Sequence, residues 1–458
     1  MPEQVAPPSA SPDEYSRLIY ERSRTYLSKL PHPAVVRLRR ITVSLIILFF
    51  FVGIPLLNMG GVVADFEVGL LGKYLCYAIA ALGIDLVWGY TGLLSLCQAL
   101  FFCIGGYAMA MHLSLKQGGG DVRPEYNNIP QFMFFNNLTA LPAFWKPFES
   151  LAFAILAGIL LAGLFAAVFG FFIFRSRVRG VYFAIVTQAL AWGAWLLFCR
   201  NEMLLGGTNG LTNFFKPYTE ARPWIITLYM MTLATLVICY LICRAVTRSR
   251  LGRVLVAVRD REPRLYFAGY QPYAFKIFSF AVGAMVAAAG GLLYPAQVGI
   301  ITPQDMNVMA SILMVIWVAV GGRGKLWGAI YGTLLVTVML SSLSSDFSDL
   351  WMFFLGGGVV AVVLLFPDGF VGVWASLEDR VARGDGWISL LMTAAPLLVL
   401  GIFVMSEALG LTPNSLQRIA FWNVKWKYLL VAALLVCVGV YRWSGRLRPR
   451  VQPSAVPA

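Results

Sequence analysis

Residues 81–111 read ALGIDLVWGYTGLLSLCQALFFCIGGYAMAM. One apolar run closes on Gly89, Tyr90, Thr91 and Gly92, and a second opens at Leu93 with no charge between them. Each run extends to roughly 20 residues, the length a helix needs to cross the hydrocarbon core of a bilayer. Working outward, apolar spans recur at 41–57, 68–89, 93–113, 149–174, 181–199, 224–243, 274–294, 309–321, 326–343, 350–366, 388–410 and 427–442. The composition agrees: of 458 residues, 59% are hydrophobic and 13% charged, with a mean hydropathy of +0.74. A soluble domain carries about 25% charged residues, so a soluble globular enzyme is excluded. The sequence predicts an all-α polytopic membrane protein of about ten core transmembrane helices with two further helices at its C-terminal end.

The net charge of +14 would point to nucleic acid in a soluble protein. Here its placement follows the excess of Lys and Arg that membrane proteins carry on the cytoplasmic side. Residues 1–40 are polar and end on Arg37, Arg39 and Arg40, which predicts a cytoplasmic tail and an uncleaved first crossing. Alternation then puts 174–180 inside, with Arg175, Arg177 and Arg179 and no acid. It also puts 244–276 inside, with eight basic residues against Asp260 and Glu262. The tail 443–458 falls inside too, so both termini are predicted cytoplasmic. Two loops run against the rule: 367–386, predicted inside, is acidic, and 411–426, predicted outside, carries Arg418 and Lys425.

Several chemistries lack their residues. A P-loop needs GxxxxGK followed by Ser or Thr, whereas Gly324-Lys325 is followed by Leu326 and preceded by Ala319 at the first glycine position. No HExxH or GxSxG is present, and no soluble segment is large enough for a catalytic domain. The chain is therefore read as a transport subunit with no ATPase site, no catalytic residue and no cofactor of its own. Its two histidines cannot build a His-based metal site. The seven cysteines all lie in apolar stretches without a CxxC pair and read as packing residues.

Polar residues inside the spans are the candidates for a solute path. Asp85 lies four residues before Gly89; an acid at the bilayer centre costs about 2.5–3.5 kcal/mol, and near the interface much less. Tyr90 and Thr91 belong either to a short turn or to a break where freed backbone lines a cavity. Ser95, Gln98 and Phe102 recur at helical spacing and are expected to share one face. Thr187 and Gln188 interrupt the span that begins at Gly180. Thr208 and Asn209 sit in a glycine-rich loop, GGTNG, beyond its outer end; that loop is either a plain turn or a source of uncharged donors and acceptors. Lys73, near the outer end of its helix, reads as a snorkelling side chain. Gly105 and Gly106 read as a close helix contact.

The loop 249–270, SRLGRVLVAVRDREPRLYFAGY, is the most informative segment outside the spans. Leu251, Val254, Leu255 and Val258 form an apolar stripe at helical spacing, with Gly269 as a stop. Such a helix can lie on a bilayer surface or dock into a partner's groove.

At these residues the chain resembles the permease subunits of ATP-binding-cassette (ABC) importers of the branched-chain amino-acid and urea class. Three stretches carry the likeness: residues 81–111; GVYFAIVTQAL (180–190) with GGTNGLT (206–212); and GRVLVAVRD from Gly252 with GGLLYPAQVGIITP (290–303) and MVIWVAVGGRGKLWGA (314–329). It extends over about 65–375, within a permease domain of 41–375. Beyond that domain lie a linker at 376–387 and the two extra spans at 388–442. The runs at 317–324 and 141–148, with Asp85 ahead of WGYTG, are more similar to urea permeases of the C type than to amino-acid permeases. A neutral polar path through Thr91, Gln98, Thr187 and Asn209 suits urea and equally admits an amino acid.

The resemblance implies a bacterial inner-membrane subunit beside a second, related permease. It also implies two cytoplasmic ATPase subunits that bind ATP and magnesium, an extracytoplasmic substrate-binding protein and a lipid surround, with no nucleic acid. The loop becomes a coupling helix, with Gly252, Arg253, Ala257, Val258, Arg259 and Asp260 inserted in an ATPase groove; Pro263 departs from the pattern and is expected to shorten it. A self-sufficient channel or secondary carrier is the alternative of another class, for which Asp85 alone is thin support.

Overall fold

A computed structural model describes residues 49–116, 140–212 and 222–346, apart from positions 62, 177 and 179, and scattered residues within 129–133 and 352–372. The tails 1–40 and 443–458, the linker 376–387, most of 350–366 and the spans 388–410 and 427–442 lie outside the described residues.

The described elements are helices joined by turns. A short apolar helix, α1 (Phe49–Met59), is followed by α2 (Asp65–Tyr90), α3 (Gln98–Lys116), α4 (Leu151–Arg175), α5 (Val181–Phe198) and α6 (Arg222–Arg248). Next come α7 (Arg250–Phe267), α8 (Pro272–Val298), α9 (Val308–Gly321) and α10 (Leu326–Asp346). Six of them, α2 to α6 and α8, are long and apolar enough to cross a membrane. The predicted crossings 309–321 and 326–343 correct to a pair: α9 and α10 meet at 116° across a four-residue break and together count as at most one span. Apolarity alone does not report the Gly321, Gly322 and Gly324 backbone that bends there.

Helix α8 is the axis, packed against α2, α3 and α4, with α6 against both α2 and α8 and α9 beside α10. Small residues allow this closeness. A Cβ on Gly291 would strike the Phe102 carbonyl, one on Gly105 the Ala288 backbone, and one on Gly83 the Gly283 carbonyl. Gly105 therefore serves helix packing, as read from the sequence. Helix α4 turns its small residues Ala154, Gly158, Ala162, Ala166 and Gly170 inward. It leaves Leu156, Leu160, Leu164 and Phe172 exposed, the reverse of a soluble helix. Without a hydrophobic drive between helices in lipid, backbone proximity and dispersion hold such a bundle together.

Candidate functional site

Helix α2 loosens into a π-helical turn over Asp85–Tyr90. The chain from Gly92 to Cys97 is then not helical, and α3 opens at Gln98. Ser95 therefore lies before the helix and does not share its face with Gln98, because Gly92 takes a positive φ of 78° and stops the winding. Backbone groups freed at this depth need partners. The Leu96 N–H donates to Thr187 Oγ1 at 3.0 Å, and the Ala99 N–H to Ser311 Oγ at 3.2 Å. Arg259 Nη1 donates to the Gly89 carbonyl at 2.7 Å.

Asp85 is fully buried beside this turn. Its Oδ1 accepts the Gly324 N–H at 2.6 Å, joining α2 to the break between α9 and α10, while Oδ2 has no partner. Arg323 lies over the Trp88 ring at 5.3 Å. A Cβ at Gly89 would collide with Asp85 and the Gly324 backbone, so glycine at 89 is what lets the two turns touch.

Several of the other polar candidates are engaged in hydrogen bonds within the bundle. Thr91 Oγ1 pairs with Ser279 Oγ at 2.7 Å, and Gln98 Nε2 donates to the Gly283 carbonyl at 2.8 Å. Thr187 Oγ1 donates to the Ala184 carbonyl at 2.9 Å. All three are buried, and each ties one helix to a neighbour or caps a backbone group. Ser95 is buried against Cys97. Tyr90 and Gln188 are half-buried, whereas Thr208 and Asn209 are exposed. Their loop is fixed to the chain after α8 by paired backbone bonds between Leu211 and Ile301, at 2.9 and 3.0 Å.

Helix α7 lies outside the spans. Ser249 caps its start, accepting from the Gly252 N–H. Arg261 breaks the helical dihedrals two residues before Pro263, and the element ends on Gly269 at φ +80°. The Tyr270 N–H donates to the Leu265 carbonyl and the Gly269 N–H to that of Tyr266, the closing pattern of a glycine-stopped helix. Two contacts brace it on the bundle. One is the Arg259 bond to Gly89; the other is a largely buried ion pair from Lys276 Nζ on α8 to Glu262 at 2.7 Å.

The apolar stripe is buried only in part: Gly252, Leu255 and Val258 are buried, Val254 and Ala257 are half-buried, and Leu251 is exposed. Of the residues the sequence assigns to a partner's groove, Gly252 and Val258 are buried, while Arg253, Arg259 and Asp260 are exposed. The outward face carries Arg253, Asp260, Arg261 and Arg264 with Tyr266 and Phe267. The Arg259 hydrogen bond holds the Asp260 carboxyl below the usual carboxylate range.

A second polar group, of which the sequence reading named only Lys73, as a snorkelling side chain, occupies the opposite end of the bundle. Lys73 and Tyr77 share a face of α2, and Lys73 Nζ lies over the Tyr77 ring at 5.9 Å. The Tyr77 ring centre is 4.9 Å from Trp317, 5.6 Å from Tyr294 and 5.8 Å from Phe102. The Tyr294 hydroxyl donates to Asp305 Oδ1 at 3.4 Å. Asp305 Oδ2 accepts from the Thr302 N–H and hydroxyl at 2.9 and 3.1 Å. Burial pushes the Asp305 carboxyl above the usual range, against the pull of the Thr302 donors, the Tyr294 hydroxyl and the Lys73 charge.

The sequence matches the family described as "Branched-chain amino acid transport system / permease component" over residues 66–363. The chain belongs to that family. Among relatives of this permease family, it is 26% identical to the high-affinity branched-chain amino acid transport system permease protein LivM of Escherichia coli K12, over 68% of this chain and 71% of the relative. It is 26% identical to the probable branched-chain amino acid transport permease protein LivM of Methanocaldococcus jannaschii, over 64% and 90%. It is 25% identical to the permease protein BraD of Pseudomonas aeruginosa, named for the same kind of system, over 65% and 91%. No solved structure matches the chain. The matched span runs from the start of α2 past α10, so this permease contains within it the Asp85 turn, braced α7 and the Lys73–Asp305 group.

Proposed function

We propose that the chain is one membrane-spanning subunit of an ABC importer that carries branched-chain amino acids inward across a bacterial inner membrane. The support that weighs most is its likeness over about two thirds of its length to permeases named for branched-chain amino acids. The urea reading, which rested on 317–324, 141–148 and Asp85, gives way to what was the alternative. ATP and magnesium are handled by two separate ATPase subunits, which fits a chain without a P-loop. A second, related permease completes the pore, and an extracytoplasmic binding protein supplies the solute.

In this reading the α7 end of the bundle is cytoplasmic. The outward face of α7 receives the push of the ATPase subunits, and the Arg259 and Glu262 braces pass it to α2 and α8. The Asp85–Gly324 bond carries it on to the α9–α10 break. The test is uptake of labelled leucine and labelled urea at micromolar concentration in cells with the gene deleted and then restored. Loss and recovery of leucine uptake alone is the expected result. Loss of urea uptake alone would overturn the substrate and leave the machine standing.

A further inference from the structure

The group around Tyr77 is built unlike a packing contact. Five separate elements meet there: α2 brings Lys73 and Tyr77, α3 Phe102, α8 Tyr294, α9 Trp317, and the 303–306 turn Asp305. The chain uses a Lys–acid pair for bracing elsewhere, and there it closes fully, Lys276 on Glu262 at 2.7 Å. Lys73 and Asp305 are near enough for their charges to act on each other. Yet among the described residues the Lys73 ammonium meets only the Tyr77 ring face. A cation held in a half-buried apolar setting without hydrogen-bond acceptors is costly unless something else supplies them.

Two further groups point the same way. Trp317, whose ring packs on Tyr77, is 4% exposed and its Nε1–H has no partner among the described residues. The Tyr107 hydroxyl on α3, 3% exposed, has none either. Buried donors in native proteins are nearly always satisfied, so an orphan on the ring packed against Tyr77 and another within electrostatic reach of Asp305 mark a place for an acceptor-bearing ligand. The loop that holds exposed Thr208 and Asn209 is hydrogen-bonded at Leu211 to Ile301, four residues before Asp305, which places a polar rim beside the group.

We propose that Lys73 and Asp305, set about the Tyr77, Tyr294 and Trp317 rings, form a transit site for a zwitterionic α-amino acid. Lys73 takes the solute's carboxylate, Asp305 its ammonium, and the rings its aliphatic side chain. This rests on the reading of the chain as an amino-acid permease and adds the residues that recognise the two charges. A neutral solute such as urea requires neither of them.

The test uses the complete importer, isolated with its native partner subunits and reconstituted in liposomes. Labelled leucine delivered per ATP hydrolysed is measured for the wild type, Lys73→Met, Lys73→Arg and Asp305→Asn. Lys73→Met and Asp305→Asn are expected to hydrolyse ATP within about twofold of wild type while delivering at least tenfold less leucine per ATP, and Lys73→Arg to stay within about threefold. Lys73→Met delivering leucine at the wild-type ratio would overturn the site alone. A wild-type complex that delivers urea and no leucine would overturn both the site and the substrate reading. If Lys73→Met does not assemble, Lys73→Cys is treated with an aminoethyl or a sulfonatoethyl methanethiosulfonate. Rescue by the cationic reagent alone supports the site; equal transport after both, or rescue by neither, refutes it.

Discussion

Asp85 sits inside an apolar helix, where sequence alone leaves open whether it is a transport group or a lodged interfacial acid. The geometry shows a hydrogen-bond acceptor for the Gly324 N–H, with one carboxylate oxygen used and the other without a partner. Asparagine keeps an oxygen at that position and alanine does not. Asp85→Asn is therefore expected to retain leucine uptake within about threefold. Asp85→Ala takes the acceptor from the partly buried Gly324 N–H and is expected to cost about 1 kcal/mol of stability, read as a lower unfolding midpoint in detergent. Equal midpoints for the two variants would show that the bond contributes nothing. The sequence singled out Asp85 because a charge in an apolar run is visible without a fold. It read Lys73 only as a snorkelling side chain and passed over Asp305, since their significance depends on elements 232 positions apart being brought together. Thr91, Gln98 and Thr187 were legible as polar interruptions, but their hydroxyl and amide groups serve Ser279, Gly283 and the Leu96 N–H, partners that no local pattern announces.

At the scale of elements, the hydropathy pattern located the six long spans among the described residues and the loop 249–270, since each helix must present apolar surface to lipid over a fixed length. It does not report which contacts each piece makes. Leu255 and Val258 of the α7 stripe are buried while Leu251 is exposed, and the ion pair with Lys276 gives Glu262 a place in so basic a loop. Breaking one partner of a buried pair strands the other charge, at about 3–5 kcal/mol, whereas removing both can be nearly neutral. Lys276→Met is thus expected to destabilise the complex more than Lys276→Met combined with Glu262→Leu, and both should lower transport per ATP by loosening α7. Thermal midpoints in the reverse order would refute the brace. Helix contacts give a second contrast. Gly291→Ala drives a Cβ into the Phe102 carbonyl and is expected to cost about 1–3 kcal/mol or more. Gly193→Ala on α5, with nothing within 4 Å of its added Cβ, is expected to stabilise by about 0.5–1 kcal/mol.

On the scale of the whole molecule, the elements argued to move with the ATPase subunits, α2, α7, α8 and the α9–α10 break, all fall between residues 65 and 346. The family match likewise ends at 363. That would suggest a cut anywhere beyond 363, yet two positions further along are part of the bundle. Val371 is 1% exposed, and a Cβ added to Gly328 at the start of α10 would strike its side chain. Gly369 adopts φ +65° and lies so close to Gly322 that a Cβ there would meet the Gly322 backbone at 2.5 Å. Gly369 and Val371 therefore pack at the glycine break to which Asp85 is also bonded. Truncation after Ala382 keeps these contacts and is expected to leave leucine uptake within about twofold, which would make the spans at 388–442 accessory. Truncation after Phe366 removes Gly369 and Val371, exposes the break, and is expected to abolish uptake with a lowered unfolding midpoint. Comparing uptake at matched membrane levels decides it: loss in the longer form would give the last two spans a part in transport, and wild-type uptake in the shorter would show that the 369–371 contact is dispensable.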